Sequence, residues 1–158
     1  MLFRSHWPEN TYSNGYLPTP VKGQSTVMVC PSSPVSTQRT WWPTGSSSFR
    51  DFTYGMSDYR NNPVEGWQKW NDPANVPGWR LGRIVSPDTQ VLAADSREAT
   101  SGITCFHVKP RHANALQKTH TRHFGRANIL CADGHVVPAG QFDLADDYGF
   151  LLGSIVFD

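Results

Sequence analysis

Charged side chains are scarce in this sequence, which holds 14 Lys and Arg and 13 Asp and Glu among its 158 residues. The formal net charge is +1, and no stripe of basic residues runs along any segment. A protein that binds nucleic acid needs such a stripe to neutralise phosphates. The composition therefore argues against nucleic acid as an obligate partner.

Long apolar runs are also absent. No segment approaches the roughly 18 apolar residues that a membrane-spanning helix requires, and residues 1–10 hold no apolar secretory region. Helix-forming residues never sustain a long period, and 12 Pro and 13 Gly interrupt helices and central strands. We therefore expect one mainly β domain over residues 1–158, with short strands, long loops and much of its burial supplied by aromatic side chains.

Short apolar runs bounded by turn residues predict the individual elements. They predict strands at 25–30, 51–56, 89–94 and 104–108, a last strand within 148–157, and one short helix over 111–118. Long loops are predicted at 31–50 and 57–80, and loops of this length often carry function. They contain Trp41, Trp42, Trp67 and Trp70. Buried packing is the favoured interpretation of these tryptophans, and a platform that stacks on glycans, as in a secreted carbohydrate-binding module, is the alternative.

The segment His123–Val137 has the sequence HFGRANILCADGHVV. Its β-prone runs flank Asp133-Gly134, and Asp-Gly between such runs is the strongest short-range hairpin signal. A type I′ turn needs positive φ at both central residues, which Asp tolerates and Gly adopts freely. The sequence therefore predicts an antiparallel hairpin over Ala127–Val137 with Asp133-Gly134 at its turn.

This segment resembles the C-terminal signature of bacterial prepilin-type, pseudopilin-like proteins, in which nine residues separate a His from Asp-Gly. The usual form is close to RHggxANvlFaDGHV, and residues 122–136 match it nearly position for position. Three upstream segments resemble further family motifs in family order, namely 27–32 (VMVCPS), 52–56 (FTYGM) and 86–96 (SPDTQVLAADS). The residues that carry the family motif are His123, Asn128, Asp133, Gly134 and His135.

The resemblance implies a pilin-type globular head of the α+β class, mainly β, with an antiparallel sheet, long loops and a C-terminal β-hairpin. It implies a structural subunit and not an enzyme, in a type IV pilus or a type II secretion fibre of the bacterial cell envelope or cell surface. Its partners would be other pilin-like subunits, and it would hold no resident cofactor. The family's N-terminal stalk helix has no counterpart here, so we expect membrane contact only through that missing helix.

Histidines and carboxylates are the residue types that would bind a metal or transfer protons. The candidates are Asp95, His107, His123, Asp133 and His135, and all of them except His107 are candidate metal ligands. A metal-dependent hydrolase around His123 and Asp133 is the least favoured functional alternative. Turn conformation explains Asp133, which favours a structural role. Because an unpaired buried imidazole is costly, we expect His123 to be buried and hydrogen-bonded to backbone or to a carboxylate such as Asp95.

Two further groups have a plain interpretation and an alternative. Asp143, Asp146 and Asp147 are predicted to form a solvated edge, although they loosely resemble the calcium loops of some type II secretion pseudopilins. Cys30, Cys105 and Cys131 show no Cys-x-x-Cys spacing, which argues against a structural zinc site. They are either buried thiols or, if exported, a facing pair of Cys105 and Cys131. The resemblance then implies that Cys30 bonds to a stalk cysteine.

Overall fold

The computed structural model describes residues 30, 53–59, 64, 67–69, 77–79, 81–100, 102, 104 and 107–157, and of 67–69, 77–79 and 81 only the backbone. The strands within these residues are β1 (Tyr54–Ser57), β2 (Trp67–Lys69), β3 (Pro77–Trp79), β4 (Val91–Glu98), β5 (His107–Val108), β6 (Gln117–His120), β7 (Arg126–Cys131), β8 (Val136–Gly140) and β9 (Ile155–Val156). The helix α1 spans Gln141–Asp146, and short 3-10 turns span Leu81–Arg83 and Leu152–Ser154. In this part of the chain, no helix has the length and apolar character needed to cross a membrane.

The long strand β4 organises a seven-stranded mixed sheet. It pairs antiparallel with β1, with β7 through its first residues, and with β6 through its last. Two short strands run parallel to their neighbours, since β5 pairs with β1 and β9 with β6. Both reach the sheet through long connections, which permit parallel pairing where a tight turn does not. The mainly β class is therefore confirmed, but the sheet is mixed and not purely antiparallel.

The hairpin predicted over Ala127–Val137 is confirmed, because β7 and β8 pair antiparallel. Its predicted turn type is wrong. Gly134 has φ of 94°, but Asp133 is not among the residues with positive φ. The Gly134 amide donates to the Cys131 carbonyl, and the Cys131 amide donates to that of His135. These bonds describe a three-residue loop in which a type I turn is followed by a left-handed glycine.

A type I′ turn lies at the other end of β7. Phe124 and Gly125 have φ of 53° and 78°. The flanking residues His123 and Arg126 donate their amides to each other's carbonyls at 2.9 and 3.1 Å. Positive φ is unusual for a bulky residue, and here the two hydrogen bonds enforce it. This turn fixes where His123 lies relative to the sheet.

Three features differ in kind from the sequence prediction. Within the predicted loop 57–80, β2 and β3 pair antiparallel as a separate two-stranded sheet. The helix predicted over 111–118 is wrong, because turns at Lys109–Ala115 lead directly into β6. A helix of that length is marginal without packing, and β4 offers residues 117–119 backbone partners on a neighbouring strand. The helix α1, which was not predicted, is too short to show a helical period and is anchored by the fully buried Leu144.

The remaining strand predictions are partly confirmed. Predicted strands at 51–56, 89–94, 104–108 and 148–157 correspond to β1, β4, β5 and β9, with shifted bounds. Predictions for 25–29, for 31–50 and for Cys105 lie outside the described residues. The hydrophobic core joins buried residues of the main sheet to Leu144 of α1. Its members include Val91, Val108, Ile129, Leu144 and Phe150.

Candidate functional site

A buried carboxylate lies where β4 changes partner. Asp95 follows the residues of β4 that pair with β7 and precedes those that pair with β6. Its side chain has no exposed surface. The Asn128 backbone amide donates to Asp95 Oδ2 at 2.7 Å. Because buried amides need an acceptor, the carboxylate takes the place of a backbone carbonyl at this break in the ladder.

Arg122 lies against the other carboxylate oxygen. Its Nε is 3.5 Å from Asp95 Oδ1, and its side chain is only 3% exposed. The Nη2 group donates to the Ser96 carbonyl at 2.5 Å. The sequence analysis included Arg122 in the resemblance of residues 122–136 and gave it no role in a site, although it directly precedes the motif histidine. The buried guanidinium and carboxylate thus hold the connection between β6 and β7 against β4.

His123 completes the cluster from the same connection. Its Nε2 is 3.2 Å from Asp95 Oδ2, which is the carboxylate contact that the sequence analysis predicted. The imidazole retains 23% exposure, so one part of it reaches solvent. The same Nε2 lies 3.3 Å from Cys30 Sγ. One ring nitrogen therefore faces both a carboxylate and a thiol.

Cys30 joins the cluster from a distant part of the chain. It is buried, and its backbone amide donates to Thr53 Oγ1 at 2.5 Å, just before β1. Ligand atoms of Cys30, Asp95 and His123 all lie within 4.8 Å of one another. The sequence analysis did not place Cys30 here. The only available signal was its position in the segment VMVCPS, which shares a family resemblance with the segments holding Asp95 and His123.

The surroundings of the cluster have a low effective dielectric constant. Burial raises the pKa of the Asp95 carboxyl above its ordinary value, although the Asn128 amide, Arg122 and His123 all favour the charged form. Burial, together with Asp95 and Cys30, raises the pKa of Tyr54 to about 12. Electrostatic contacts inside such a site are stronger than contacts in water.

Asp133 and His135 lie at the far end of β7, so the structure does not bring the four predicted metal ligands together. Asp133 Oδ1 accepts hydrogen bonds from the His135 amide at 3.1 Å and from its Nδ1 at 2.6 Å. Both side chains are exposed. The hydrogen bond from the His135 backbone amide is the main cause that lowers the pKa of Asp133, and the His135 ring lowers this pKa further. This pair stabilises the hairpin loop and is separate from Asp95 and His123.

The predicted calcium ligands belong to α1 and its end. Asp143 Oδ2 accepts from the Gly140 amide at 2.8 Å, which caps the start of the helix. Asp143, Asp146 and Asp147 are all exposed. In the described part of the chain, only Cys30, Asp95 and His123 form a group of three convergent ligands. The exposure of the three acidic residues fits a solvated edge, and the calcium alternative stays a prediction.

The tryptophans of the predicted glycan platform and the cysteine pair are described only in part. Trp41, Trp42 and Trp70 lie outside the described residues, and only the backbone of Trp67 is described, as part of β2. Cys131 is a buried free thiol, which argues against a disulfide bond to Cys105. Burial is also the main cause that raises the pKa of Cys131 to about 11.

The cluster of Cys30, Asp95, Arg122 and His123 is closed on most sides. Asp95 and Arg122 have almost no surface that a substrate could touch, and only His123 reaches solvent. The cluster can therefore bind protons or a cation between three segments of the chain. Comparisons with protein-family models, with curated proteins and with solved structures found no match to this chain.

Proposed function

We propose that this chain is the globular head of a pilin-like structural subunit of a bacterial envelope or surface fibre. The observation that carries the proposal is the use of the motif residues. His123 contacts the buried Asp95, and Asn128 donates its amide to the same carboxylate. Asp133 and Gly134 shape the hairpin loop. His123 and the Asn128 backbone therefore join the sheet at Asp95, and Asp133 and Gly134 shape its hairpin loop.

The accessibility of these groups also favours a scaffold over an enzyme. A catalytic group must touch its substrate, and general acid–base catalysis requires hydrogen-bond reach to the reacting atoms. Asp95 has no exposed surface, and Arg122 has 3%. The exposed pair of Asp133 and His135 is engaged in its own loop. These polar residues stabilise the head and leave recognition to its surface.

The surface offers apolar side chains for contacts between subunits. Interfaces are enriched in aromatic and aliphatic residues that are costly to expose on a monomer. Large hydrophobic side chains are exposed at Val85, Leu116, Phe124, Val136, Phe142, Leu151, Leu152 and Phe157. Phe124 is the most exposed of them, and it lies at the tip of the type I′ turn. A fibre in which heads pack side by side would cover such residues.

The test starts from the genomic reading frame upstream of Met1. A pilin-like subunit requires a short basic leader followed by an apolar stalk helix that continues into this head. The full reading frame, expressed in its native host with an antibody against the head, should give leader cleavage and protein in the sheared surface fraction. A reading frame that starts at Met1, with the native protein confined to the cytosol, would contradict the proposal.

A further inference from the structure

We propose that Cys30, Asp95 and His123 bind one zinc ion, which ties together three segments of the chain. The sequence analysis expected no resident metal and did not consider Cys30 beside these residues. The proposal is independent of the role in a fibre, because it concerns how the head is held together. Cys30 precedes β1, Asp95 lies on β4, and His123 lies between β6 and β7.

The first argument is the spacing of the ligand atoms. His123 Nε2 is 3.2 Å from Asp95 Oδ2 and 3.3 Å from Cys30 Sγ. Zinc bonds to sulfur, nitrogen and oxygen in a tetrahedral site place neighbouring ligand atoms about 3.3 to 3.6 Å apart. Both distances from His123 Nε2 are therefore close to those that a shared zinc ion imposes, and the ligand atoms of all three residues lie within 4.8 Å of one another.

The second argument concerns the two polar contacts of His123 Nε2, with Asp95 and with Cys30, because this nitrogen carries either one proton or none. If His123 Nε2 carries a proton, it donates to Asp95 and offers no lone pair to the Cys30 thiol. If Nε2 is unprotonated, its single lone pair accepts from the thiol, and no proton lies between the ring nitrogen and the carboxylate. Hydrogen bonding thus satisfies only one of the two contacts in full. A divalent cation satisfies both contacts and also binds the thiolate and the carboxylate.

The third argument is the support around the ligands. Arg122 contacts Asp95 Oδ1, and the Asn128 amide orients Oδ2, as outer partners do for metal-binding carboxylates. The exposed part of His123 provides a path for the ion. A thiolate, an imidazole and a carboxylate form a ligand set that suits zinc better than magnesium or calcium, which prefer oxygen alone. Three protein ligands leave the fourth position to water.

Elemental analysis of the purified full chain tests the stoichiometry. The protein is stripped with a chelator, loaded with zinc alone and dialysed. We expect about one equivalent of zinc in the wild type, and at least a tenfold loss of affinity in Cys30→Ala and in His123→Ala. The matched controls are Cys131→Ala, a buried thiol at another place, and His135→Ala, an exposed imidazole. Both controls should retain the wild-type affinity, and equal losses in all four variants would overturn the proposal.

Cobalt spectroscopy keeps the test decisive if a variant does not fold. Cobalt loaded into the wild type should give a thiolate-to-metal charge-transfer band in the near ultraviolet, together with the intense visible bands of a four-coordinate ion. The charge-transfer band should disappear in Cys30→Ala and persist in Cys131→Ala. A wild-type spectrum without that band, or less than about a tenth of an equivalent of bound zinc, would overturn the proposal without any variant.

Discussion

Asp95 joins several polar groups at one buried carboxylate. Oδ2 accepts from the Asn128 amide and lies against His123, and Oδ1 lies beside Arg122. Arg122 is nearly as buried as Asp95 itself. Loss of the carboxylate therefore leaves the Asn128 amide without its acceptor and the buried Arg122 guanidinium without its counter-ion, although Arg122 Nη2 keeps the Ser96 carbonyl. Buried polar groups that lose their partner cost far more than exposed ones.

We expect Asp95→Ala to lower the free energy of unfolding by about 3 kcal/mol or more, because Arg122 becomes an unpaired buried cation. The control is Asp88→Ala, which removes an exposed carboxylate and should change stability by less than about 0.5 kcal/mol. Urea unfolding followed by circular dichroism measures both. Similar midpoints for the two variants would show that the buried carboxylate is not what holds Arg122.

At the hairpin loop, we expect a pH-dependent contribution from Asp133. Its pKa is lowered below 3.8 by hydrogen bonds from His135, so the stability that it contributes is present above 3.8 and lost as the pH falls through the lower native value. The Tm of wild type should exceed that of Asp133→Asn at about pH 5, and the difference should shrink at about pH 2.5. A difference that stays constant would contradict this assignment.

At the scale of elements, the close approach of three strands requires a glycine in β1. A Cβ atom added at Gly55 would lie 2.7 Å from the carbonyl carbon of His107 and 2.9 Å from the Cβ of Ser96. These neighbours belong to β5 and β4, which flank β1 on its two sides. Neither neighbour is the flexible end of a long side chain. The segment FTYGM therefore needs glycine at this position to let β5 pair parallel with β1.

We expect Gly55→Ala to destabilise the protein by about 1 to 3 kcal/mol, because the added methyl group forces strands apart. Gly82→Ala is the matched control, since nothing lies within 4 Å of a Cβ at Gly82. That variant should be neutral or slightly stabilising, because alanine reduces the freedom of the unfolded chain. Thermal unfolding of the pair measures the contrast, and equal Tm values would refute the steric explanation.

At the scale of the whole molecule, the main sheet depends on pairings between distant segments. The single strand β4 pairs with β1, β6 and β7, and β9 pairs with β6 at the end of the strand order. Within the described residues, β2 and β3 pair only with each other. Two-stranded sheets are marginally stable by themselves, whereas strands paired on both sides open only with the whole domain. Stability should therefore differ between the two sheets.

Hydrogen exchange measured by mass spectrometry should reveal this difference. We expect the slowest exchange in peptides that cover β4 and β7, because their amides open only when the main sheet unfolds. Peptides that cover β2 and β3 should exchange faster under the same conditions. Equal protection of both sheets would mean that the small sheet shares the cooperative core of the large one.

Short-range patterns were sufficient for part of this structure. The hairpin of β7 and β8 was predictable, because alternating apolar residues and a glycine loop are local signals. The turn type was not predictable. A single positive φ at Gly134 and the hydrogen bond from the Cys131 amide to the His135 carbonyl give a three-residue loop instead of a two-residue type I′ turn. The contact between His123 and Asp95 was predictable from the cost of burying an unpaired imidazole. These features depend on residue chemistry and near neighbours.

Long-range pairing decided the rest. Residues 117–120 became a strand because β4 offers them partners, and the two parallel strands follow from connections that leave no local signal. Cys30 lies 93 positions from His123 in the chain, yet their side chains meet at 3.3 Å. No periodicity or spacing encodes a contact at such a separation. The sequence alone determined a mainly β chain with a C-terminal hairpin, and only the tertiary structure placed a thiol, a carboxylate and an imidazole around one point.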